Sequence, residues 1–303
     1  PQAPPVKKGR CIMEPRGETL GQAPAHAAVR LGLIGDNITR SKSPKLHRIA
    51  GQLTGLDVSY ERLIPKDMGL TFEEVFAQAQ MGGYRGINVT YPYKELVTAK
   101  VTVTDPLVRA IGAVNTVVFE ADGPKGFNTD YSGFVAAYRA VMKDAAAGTV
   151  CLIGTGGVGK AVAFGLIALK AEVIRCVDLD AAKAQDLADA LRALGTPTRI
   201  EVSTQAELAA QGADGIVNCT PLGMVGIGGT PLDGAAMPGA TWAFDAVYTP
   251  VETQFLQDAQ RAGLRVISGY ELFFGQGLDA WKIFTDTPVD ALALRQAIQG
   301  DDL

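Results

Sequence analysis

Residues 150–162 read VCLIGTGGVGKAV: an apolar strand runs into a glycine loop, and the loop opens an apolar helix. The loop meets the pattern G-x-G-x-x-G, which indicates dinucleotide binding only in this strand-to-helix context. Its first glycine permits a tight turn, its second lets the backbone approach a pyrophosphate, and its third lets the helix pack on the strand. Free N–H groups at the positive end of the helix then face the phosphates. The predicted phosphate-binding residues are Gly154, Gly156, Gly157, Val158 and Gly159.

The next predicted strand, Glu172–Val177, is followed by a carboxylate that bears on cofactor choice. Asp178 lies 24 residues after Gly154 (178 − 154), near the spacing of ~20 at which an acidic residue meets the adenosine ribose. There it would accept hydrogen bonds from the ribose hydroxyls and repel the 2′-phosphate of NADP. The sequence therefore predicts NAD, with NADP the less favoured cofactor. Asp178 could instead cap the next helix, but Asp180 is better placed for that, and strand alternation need not bring Arg175 to the ribose.

The bulk composition excludes several classes of protein. The chain has 303 residues, of which 47% are hydrophobic, and a formal net charge of −4. This charge does not indicate a nucleic-acid surface, and no run approaches the ~18 apolar residues of a membrane span. Three of the four cysteines lie in apolar strand-like runs, which predicts core residues and suits a cytoplasmic protein. The cysteines are Cys11, Cys151, Cys176 and Cys219.

The chain divides into two α/β units after its first 30 residues. Residues 1–30 are rich in Pro, Ala, Gly and Gln and lack the apolar core of a signal peptide, so we predict a mobile extension. Residues 31–145 alternate short apolar strands with helices, which is typical of an α/β fold. Residues 146–274 repeat this alternation around the glycine loop and predict a Rossmann-like domain. A long helix is predicted at Tyr270–Phe284.

Four polar segments follow apolar runs in the first half of the chain. They supply hydroxyls, amides, one amine and one carboxylate, and a glutamine in the last long helix adds an amide. This set of side-chain groups suits a small polyhydroxylated carboxylate better than a metal ion, because no cluster of His, Cys or carboxylate residues has the spacing of metal ligands. The segments are Ser41–Pro44, Asn88–Lys94, Gly112–Thr116 and Asn128–Asp130, and the glutamine is Gln276.

Each of these polar residues also has a structural interpretation when taken alone. Ser41 and Ser43 could be turn or N-cap residues before a helix that starts at Pro44. Lys94 could be a solvated surface lysine, and Asp130 could cap the helix that follows it. The ordered occurrence of all the segments in one chain favours a shared site over four separate structural roles.

These motifs resemble the shikimate/quinate dehydrogenase family. SxSP, NVTxPxK, GAVNT, NTD and the late GYELFFGQ stretch stand in the family's order and cover about Leu31 to Thr285. The resemblance implies an α/β fold with an N-terminal α/β substrate domain, residues 31–145, and a Rossmann-like dinucleotide-binding domain, residues 146–274. The C-terminal segment 275–303 is expected to join the substrate domain, and the active site is expected in the cleft between the domains.

The resemblance also implies roles for individual residues. The expected acid–base pair is Lys94 and Asp130. The residues expected to bind the substrate carboxylate or the ring hydroxyls are Ser41, Ser43, Asn88, Thr90, Asn115, Tyr248 and Gln276. The residues expected beside the nicotinamide are Asn218, Thr220 and Gly269. No metal is expected, and the expected partner is a small molecule, without nucleic acid or membrane; a homodimer stays open.

Two departures from the family pattern bear on this interpretation. The chain has Arg48 after His47, where the family often has Asn. It has Asp178-Leu179-Asp180 after the second Rossmann strand, where biosynthetic NADP-linked members tend to carry Asn-Arg-Thr. The second departure makes the chain resemble the NAD-linked branch, which oxidises quinate as well as shikimate.

The expected reaction removes a hydride from a carbinol carbon and a proton from its hydroxyl. The nicotinamide takes the hydride, and Lys94, oriented by Asp130, takes the proton. The location of the proton within the pair stays open because the two groups titrate together. His47 is a weaker candidate for this step and is better explained as a structural residue.

Three rival functions remain at this point. A 2-hydroxyacid dehydrogenase would need a His–carboxylate pair and an anchoring Arg, and the chain has only two histidines. A non-catalytic dinucleotide sensor would have no need of Lys94 and Asp130. An NADP-dependent biosynthetic shikimate dehydrogenase would need a cation where Asp178 stands.

Overall fold

The first of two β-sheets is mixed and lies in the N-terminal half of the chain. The computed structural model describes residues 29–300, so the extension predicted for residues 1–30 lies almost wholly outside the described residues. The strand order is β2-β1-β3-β4-β5, in which β1, β2 and β3 are parallel and β4 and β5 form an antiparallel hairpin. The strands are β1 (Val29–Ile34), β2 (Val58–Leu63), β3 (Gly86–Val89), β4 (Thr116–Glu120) and β5 (Gly123–Phe127).

Three of the five described helices of this half begin after a side chain that caps them. A capping box of Thr71 and Glu74 starts the helix at Phe72, and the Asn128 side chain caps the helix that carries Asp130. A short 3₁₀ helix, Leu96–Lys100, follows directly after Lys94 and Glu95. The helices are α1 (Ser43–Thr54), α2 (Pro65–Met68), α3 (Phe72–Met81), α4 (Pro106–Ile111) and α5 (Thr129–Met142).

The second sheet has six parallel strands in the order β11-β10-β9-β6-β7-β8. The chain reverses direction across the sheet between β6 and β9, and ligands of doubly wound sheets bind at the carboxyl ends of the strands at such a point. The prediction of an α/β protein with a Rossmann-like domain is confirmed. The strands are β6 (Thr149–Ile153), β7 (Val173–Val177), β8 (Arg199–Ser203), β9 (Gly215–Asn218), β10 (Trp242–Asp245) and β11 (Arg265–Ile267).

Six helices follow the first strand of this sheet. No helix in the described part of the chain is long and apolar enough to span a membrane. The six helices that follow β6 are α6 (Gly157–Ala168), α7 (Ala181–Arg192), α8 (Ala206–Ala210), α9 (Gln254–Arg261), α10 (Gly269–Thr285) and α11 (Ala291–Gly300), with a 3₁₀ turn at Gly234–Ala236.

Helix α5 connects the two sheets because it packs on both sides. Towards the six-stranded sheet, the Phe134 ring fills the space over Gly165 of α6, where a methyl group would come within 2.6 Å of Phe134 Cδ1. Tyr138 meets the indole of Trp242 edge-on, with 5.0 Å between ring centroids. Burial of these large rings is the main favourable term in such packing.

On its other side α5 crosses α10 at two glycines. A methyl group at Gly133 would lie 2.9 Å from the backbone nitrogen of Gln276 and 3.0 Å from the carbonyl oxygen of Leu272, and one at Gly275 would lie 3.1 Å from the Gly133 Cα atom. Backbones can approach this closely only where both helices lack a Cβ atom. The crossing sets the distance between Asp130 on α5 and Gln276 on α10.

The C-terminal helices return to the N-terminal sheet. The Phe284 ring of α10 covers Gly86 of β3, where a methyl group would come within 2.6 Å of Phe284 Cε1. Lys45 Nζ of α1 donates to the carbonyl oxygen of Ile298 in α11 at 2.8 Å. Arg295 of α11 forms a two-bond ion pair with Glu271 of α10, each bond 2.8 Å long. The segment predicted to join the first domain thus contacts α1 and β3.

The glycine crossing generates a prediction for stability. Gly133→Val should lower the free energy of unfolding by about 1–3 kcal/mol, because the added atoms overlap the α10 backbone and force the helices apart. Urea unfolding monitored by circular dichroism measures the change. Ala136→Val, an exposed site on the same helix, is the matched control and should cost well under 1 kcal/mol. Equal losses in the two variants would contradict the proposed close approach.

Candidate functional site

The catalytic pair predicted from sequence is an ion pair in the structure. Lys94 Nζ lies 2.6 Å from Asp130 Oδ2, and the two side chains are only 15% and 6% exposed. The Lys94 side chain follows β3, while Asp130 lies in the first turn of α5, 36 residues later. The interpretation of Lys94 as a solvated surface lysine is therefore wrong.

The position of Asp130 depends on the residue that caps its helix. Asn128 Oδ1 accepts hydrogen bonds from the backbone nitrogens of Asp130 and Tyr131, at 3.1 and 3.3 Å. Asn128 Nδ2 donates to the carbonyl oxygen of Ala113 at 2.9 Å. Asn128 thus does the capping, which leaves the Asp130 carboxylate available to Lys94, and the interpretation of Asp130 as the cap is wrong.

Beside this pair, three predicted substrate-binding amides lie in one buried hydrogen-bond network. Asn115 Oδ1 accepts from the Thr129 backbone nitrogen at 2.8 Å, and Asn115 Nδ2 donates to Thr129 Oγ1 at 2.9 Å. Thr129 Oγ1 in turn lies 3.4 Å from Gln276 Oε1. Asn88 Nδ2 donates to Thr116 Oγ1 at 3.1 Å. Thr129 joins two amides that are 161 residues apart (276 − 115), a role that its place in the sequence did not predict.

A second group of predicted residues forms a cluster of hydroxyls. Ser41 Oγ and Ser43 Oγ are 3.2 Å apart, and both residues are buried. Ser41 also accepts from the Ser43 backbone nitrogen at 3.3 Å, so the turn interpretation of Ser41 holds alongside any binding role. The cap interpretation is wrong, because Lys42 is the N-cap of α1 and makes no side-chain capping bond.

Two tyrosines complete this hydroxyl cluster. Burial raises the pKa of Tyr248 and of Tyr60, and the neighbouring hydroxyls of Ser41 and Ser43, respectively, act against this shift. Arg62 Nη2 donates to the Ser41 carbonyl oxygen at 2.7 Å, which places a cation behind the hydroxyls. Neutral donors backed by one cation suit a carboxylate.

Tyr60 and Arg62 were not predicted, although their signal was present in the sequence. They stand two residues apart on β2, so the alternation of a strand places them on one face. Tyr60 also donates to Asn88 Oδ1 at 2.8 Å, which ties the hydroxyl cluster to the amide network. Thr90, predicted to bind substrate, leads from β3 toward Lys94, and its methyl group packs against Gly35.

The structure favours the structural interpretation of His47 over an acid–base role. It is buried and stacks on Tyr60, with 4.9 Å between ring centroids. Burial lowers the pKa of His47 to about 3, although a hydrogen bond with Asn88 opposes the shift. The imidazole is neutral at physiological pH and packs the wall of the site, as the structural interpretation of its sequence position predicted.

The glycine loop has the geometry that its pattern predicted. Gly154 has φ of +94°, a conformation that favours glycine. A methyl group at Gly159 would lie 2.0 Å from the Gly154 carbonyl oxygen, which is the close approach of helix to strand. A methyl group at Gly156, the N-cap of α6, would meet nothing within 4 Å. The loop therefore leaves open space beside the start of the helix, the position at which the glycine pattern predicts the pyrophosphate.

Asp178 lies beside this loop and is engaged by it. Asp178 Oδ2 accepts from the backbone nitrogen and the hydroxyl of Thr155, both at 2.9 Å. Burial raises the pKa of Asp178, but the hydrogen bonds from Thr155 and Asp180 outweigh it and hold the pKa below its ordinary value. Asp180 caps α7 through the Ala182 nitrogen at 3.0 Å, as predicted. Arg175 binds Glu201 at 3.1 Å and two carbonyl oxygens instead of approaching Asp178.

The turn after β9 is joined to the Tyr248 loop by a buried carboxylate. Asn218 Oδ1 accepts from the nitrogen and hydroxyl of Thr220, at 2.9 and 2.7 Å. Asn218 Nδ2 donates to Asp245 Oδ1 at 2.9 Å, and the same oxygen accepts from the Val247 nitrogen at 2.9 Å. Burial raises the pKa of Asp245 to about 6, against its hydrogen bonds with Thr253, Val247 and Asn218.

Asp245 was not predicted, although it ends a strand as a lone carboxylate in an apolar run. Gly269, predicted beside the nicotinamide, starts α10 where a methyl group would lie 2.5 Å from the Val247 carbonyl oxygen. The close approach of these two backbones explains the glycine. Among the described residues, no group of three or more His, Cys, Asp or Glu side chains could hold a metal ion.

Comparison with known proteins gives matches to both halves of the chain. Residues 33–117 match the family model described as shikimate dehydrogenase substrate binding domain. Residues 149–226, which include the glycine loop, match the model described as NADP oxidoreductase, coenzyme F420-dependent.

Curated relatives match along most of the chain. The quinate/shikimate dehydrogenase (NAD(+)) of Corynebacterium efficiens is 37% identical over 276 residues, covering 89% of this chain and 97% of the relative. The shikimate dehydrogenase (NADP(+)) of Pseudarthrobacter chlorophenolicus is 36% identical, covering 88% of this chain and 92% of the relative.

Solved structures agree with these relatives. The quinate dehydrogenase of Corynebacterium glutamicum in complex with NAD superposes with a TM-score of 0.81 at 32% identity, covering 90% of this chain and 99% of that one. The shikimate 5-dehydrogenase of Thermus thermophilus in complex with NADP(H) and shikimate has a TM-score of 0.78 at 29% identity, covering 90% and 99%.

The buried imidazole generates a prediction for pH dependence. The pKa of His47 is about 3 in the folded chain against an ordinary value of 6.5, so the unfolded chain takes up a proton that the folded chain refuses. Stability that is present above pH 6.5 is therefore lost as the pH falls, by about 1 kcal/mol per pH unit. The free energy of urea unfolding, measured from pH 7 to about pH 5, should fall more steeply in the wild type than in His47→Gln.

The comparison of the two proteins removes the contribution of Asp245. The raised folded pKa of Asp245 acts with opposite sign, because its contribution to stability decreases as the pH rises from 3.8 to about 6. Both proteins share it, so it cancels in the difference. A difference in stability that does not change with pH would contradict the burial of a neutral His47.

Proposed function

The chain belongs to the shikimate/quinate dehydrogenase family, and from this premise we propose that it catalyses the reversible NAD-dependent oxidation of a ring hydroxyl of shikimate or quinate to the 3-dehydro ketone. Its general class, an NAD(P)-dependent oxidoreductase, follows from that family. The observation that carries the finer proposal is the buried ion pair of Lys94 and Asp130, 2.6 Å long, beside a glycine loop with open space for a dinucleotide.

The proposal divides the chain into two functional domains. Residues 31–145, joined by the segment 275–303, hold the substrate, and residues 146–274 hold the dinucleotide. The match of residues 33–117 to a substrate-binding domain model supports the first assignment. The open space at Gly156 supports the second.

In the proposed substrate complex, the hydroxyl cluster holds the carboxylate. Ser41, Ser43 and Tyr248 donate to its oxygens, and the Arg62 cation behind them offsets its charge. Hydrogen bonds from such donors to a charged group contribute about 1.5–3 kcal/mol each. The cluster replaces water around the carboxylate, which explains why hydroxyls lie together in a buried position.

The ring hydroxyls then face the amide network. The proposed partners are Thr90, Asn88, Asn115 and Gln276. The Asn88 side-chain amide already hydrogen-bonds to Tyr60 and Thr116. A ring hydroxyl that binds there shares the Asn88 amide with one of these two residues. The amides of Asn115 and Gln276 are oriented by Thr129, which fixes where a hydroxyl can bind.

Lys94 and Asp130 move the proton in the proposed reaction. A bound nicotinamide supplies the hydride acceptor at the carbinol carbon. For this step the Lys94 ammonium first releases a proton to solvent. As the C–H bond breaks, the hydroxyl proton then passes to the neutral amine at Nζ, and a ketone C=O bond forms. Asp130 Oδ2 orients the amine and stabilises the ammonium that results. In the reverse direction, Lys94 returns the proton to the developing alkoxide.

The dinucleotide is proposed to lie along the glycine loop with Asp178 at its adenosine ribose. The proposed contacts are Gly154, Gly156, Gly157, Val158 and Gly159 at the phosphates and Asn218, Thr220 and Gly269 at the nicotinamide. The ribose hydroxyls compete with Thr155 for the Asp178 carboxylate, or share it. Arg175 is held by Glu201, so it does not offset the charge of a 2′-phosphate.

A cytoplasmic location belongs to the same proposal. The described cysteines Cys151, Cys176 and Cys219 are buried free thiols, which suits a reducing compartment. A homodimer stays a prediction, and the proposed reaction needs neither nucleic acid nor a membrane.

The experiment that tests the proposal is an activity panel. The protein is mixed with NAD or NADP and with shikimate, quinate or unrelated 2-hydroxy acids, and the absorbance of the reduced cofactor is followed. Turnover of shikimate or quinate supports the proposal. Dinucleotide binding without turnover of any hydroxy acid would favour the sensor instead.

Removal of the amine gives a prediction for catalysis. Lys94→Ala should lower kcat by ~10² or more, the usual scale for a general acid–base group, with a smaller change in KM. The matched control is Lys100→Ala, an exposed lysine of the following 3₁₀ helix, which should leave kcat unchanged. A Lys94→Ala enzyme with normal kcat and only a raised KM would show that the amine merely binds substrate.

Cofactor choice gives a second prediction. The ratio kcat/KM for NAD should exceed that for NADP by at least ~10², equivalent to about 2.7 kcal/mol, because the Asp178 carboxylate repels the 2′-phosphate. Asp178→Asn should narrow the gap by weakening NAD and improving NADP. Asp180→Asn, which keeps a good capping residue, is the control and should preserve the ratio.

The unaltered protein decides this point first. A preference for NADP in the wild type would overturn the assignment to the NAD-linked branch. Lys183 in α7, which acts electrostatically on Asp178, would then be the basic residue to test against the 2′-phosphate.

A further inference from the structure

The loop of the catalytic lysine and the glycine-loop helix touch at two neighbouring points. The aliphatic stem of Lys94 lies against Gly157, where a methyl group would be 3.2 Å from Lys94 Cβ and 3.3 Å from Cδ. The next residue, Glu95, pairs with Lys160, with 3.0 Å between Oε2 and Nζ. Gly157 and Lys160 are three residues apart and so lie on one face of the first turn of α6.

These contacts join segments that belong to different sheets. Glu95 follows β3 of the N-terminal sheet, while Lys160 follows β6 of the parallel sheet. The Glu95 side chain is 51% exposed and that of Lys160 22% exposed, and such an ion pair contributes little to global stability. The pair therefore matters more for position than for stability, because it joins the first turn of α6 to the residue next to Lys94.

We propose that Glu95 and Lys160 are a positioning pair across the cleft, which holds the dinucleotide loop at a set distance from the Lys94 amine. This inference rests on the proposed function. In that reaction, a hydride and a proton leave adjoining atoms of one substrate, so the hydride acceptor and the amine must lie at matched distances. The pair ties the elements that hold these two groups, and neither Glu95 nor Lys160 needs to touch the substrate.

The pair also neutralises a charge at the mouth of the dinucleotide site. Glu95 without its partner would add an anion near the start of α6, where the pyrophosphate is proposed to bind. Because Lys160 is bound to Glu95, it acts as a bridge between the domains and not as a free phosphate ligand. A bridge and a phosphate ligand respond differently to substitution, which makes the proposal testable.

A double-mutant cycle on Glu95→Gln and Lys160→Gln tests the bridge. Each single variant should lower kcat/KM about 3–10-fold, both for the hydroxy acid and for the dinucleotide. The double variant should have a kcat/KM no lower than that of either single variant. The ratio of wild-type to variant kcat/KM should fall toward one in about 1 M KCl, because salt screens a partly exposed pair. The midpoint of thermal unfolding should stay nearly unchanged.

The control is Asp286→Asn, which removes one charge from the exposed pair with Lys282 in a single helix turn and should leave kcat/KM unchanged. Additive effects of the two substitutions would overturn the proposal. A KM for the dinucleotide that rises in Lys160→Gln and not in Glu95→Gln would also overturn it, because that result would make Lys160 a phosphate ligand.

The same cycle on the Kd for NAD needs no turnover and should show the same coupling. If the wild-type protein turns over no hydroxy acid, the proposed function is contradicted. The cycle on the Kd for NAD then still tests whether Glu95 and Lys160 act as a bridge. Wild-type turnover with additive variants would contradict the bridge alone.

Discussion

A lysine and a carboxylate held 2.6 Å apart and almost out of water require a rigid setting, because an ion pair gains little from burial unless its geometry is maintained. Several features of the fold supply that setting. Asn128 caps α5, so the Asp130 carboxylate is available to pair with Lys94. The glycine crossing of α5 and α10 sets how closely these two helices approach each other. The Lys94 stem rests on Gly157 of the glycine loop. The elements that hold the pair thus come from both sheets, and the cleft between them is where the proposed chemistry belongs.

The structure contains two buried hydrogen-bond networks besides this pair. The amides of Asn115 and Gln276 meet through Thr129, and the hydroxyl cluster around Ser41 is connected to them through Tyr60 and Asn88. On the dinucleotide side, Asp245 joins the turn after β9 to the loop of Tyr248. Polar groups buried in this way must be satisfied internally, so the amides of Asn88 and Asn115 are already oriented before a ligand arrives. Such preorganisation favours binding and catalysis, because little ordering remains to be done.

The dinucleotide side shows how a short motif acts through its neighbours. Gly154 and Gly159 are glycines because the loop and the strand come into contact, whereas Gly156 faces open space. Asp178 Oδ2 accepts two hydrogen bonds from Thr155 of the same loop, so its carboxylate helps to shape the loop in addition to the ribose contact proposed for it. A substitution at Asp178 would therefore act on loop geometry and on cofactor charge together, which is why the capping residue Asp180 serves as its reference.

The sequence by itself determined the local features of this protein, and the tertiary structure decided which distant residues meet. Apolar runs and the glycine pattern identified the strands, the Rossmann-like unit and the loop, because these depend on residues close together in the chain. The ordered motifs pointed to Lys94 and Asp130 as the expected acid–base pair. The roles of Thr129, Asp245 and the Glu95–Lys160 pair depend instead on strand order and helix crossing, which no local periodicity records. The hydroxyl of Tyr60 and the neutral ring of His47 acquire their roles only through burial against each other, since burial is a property of the packed chain and not of either residue.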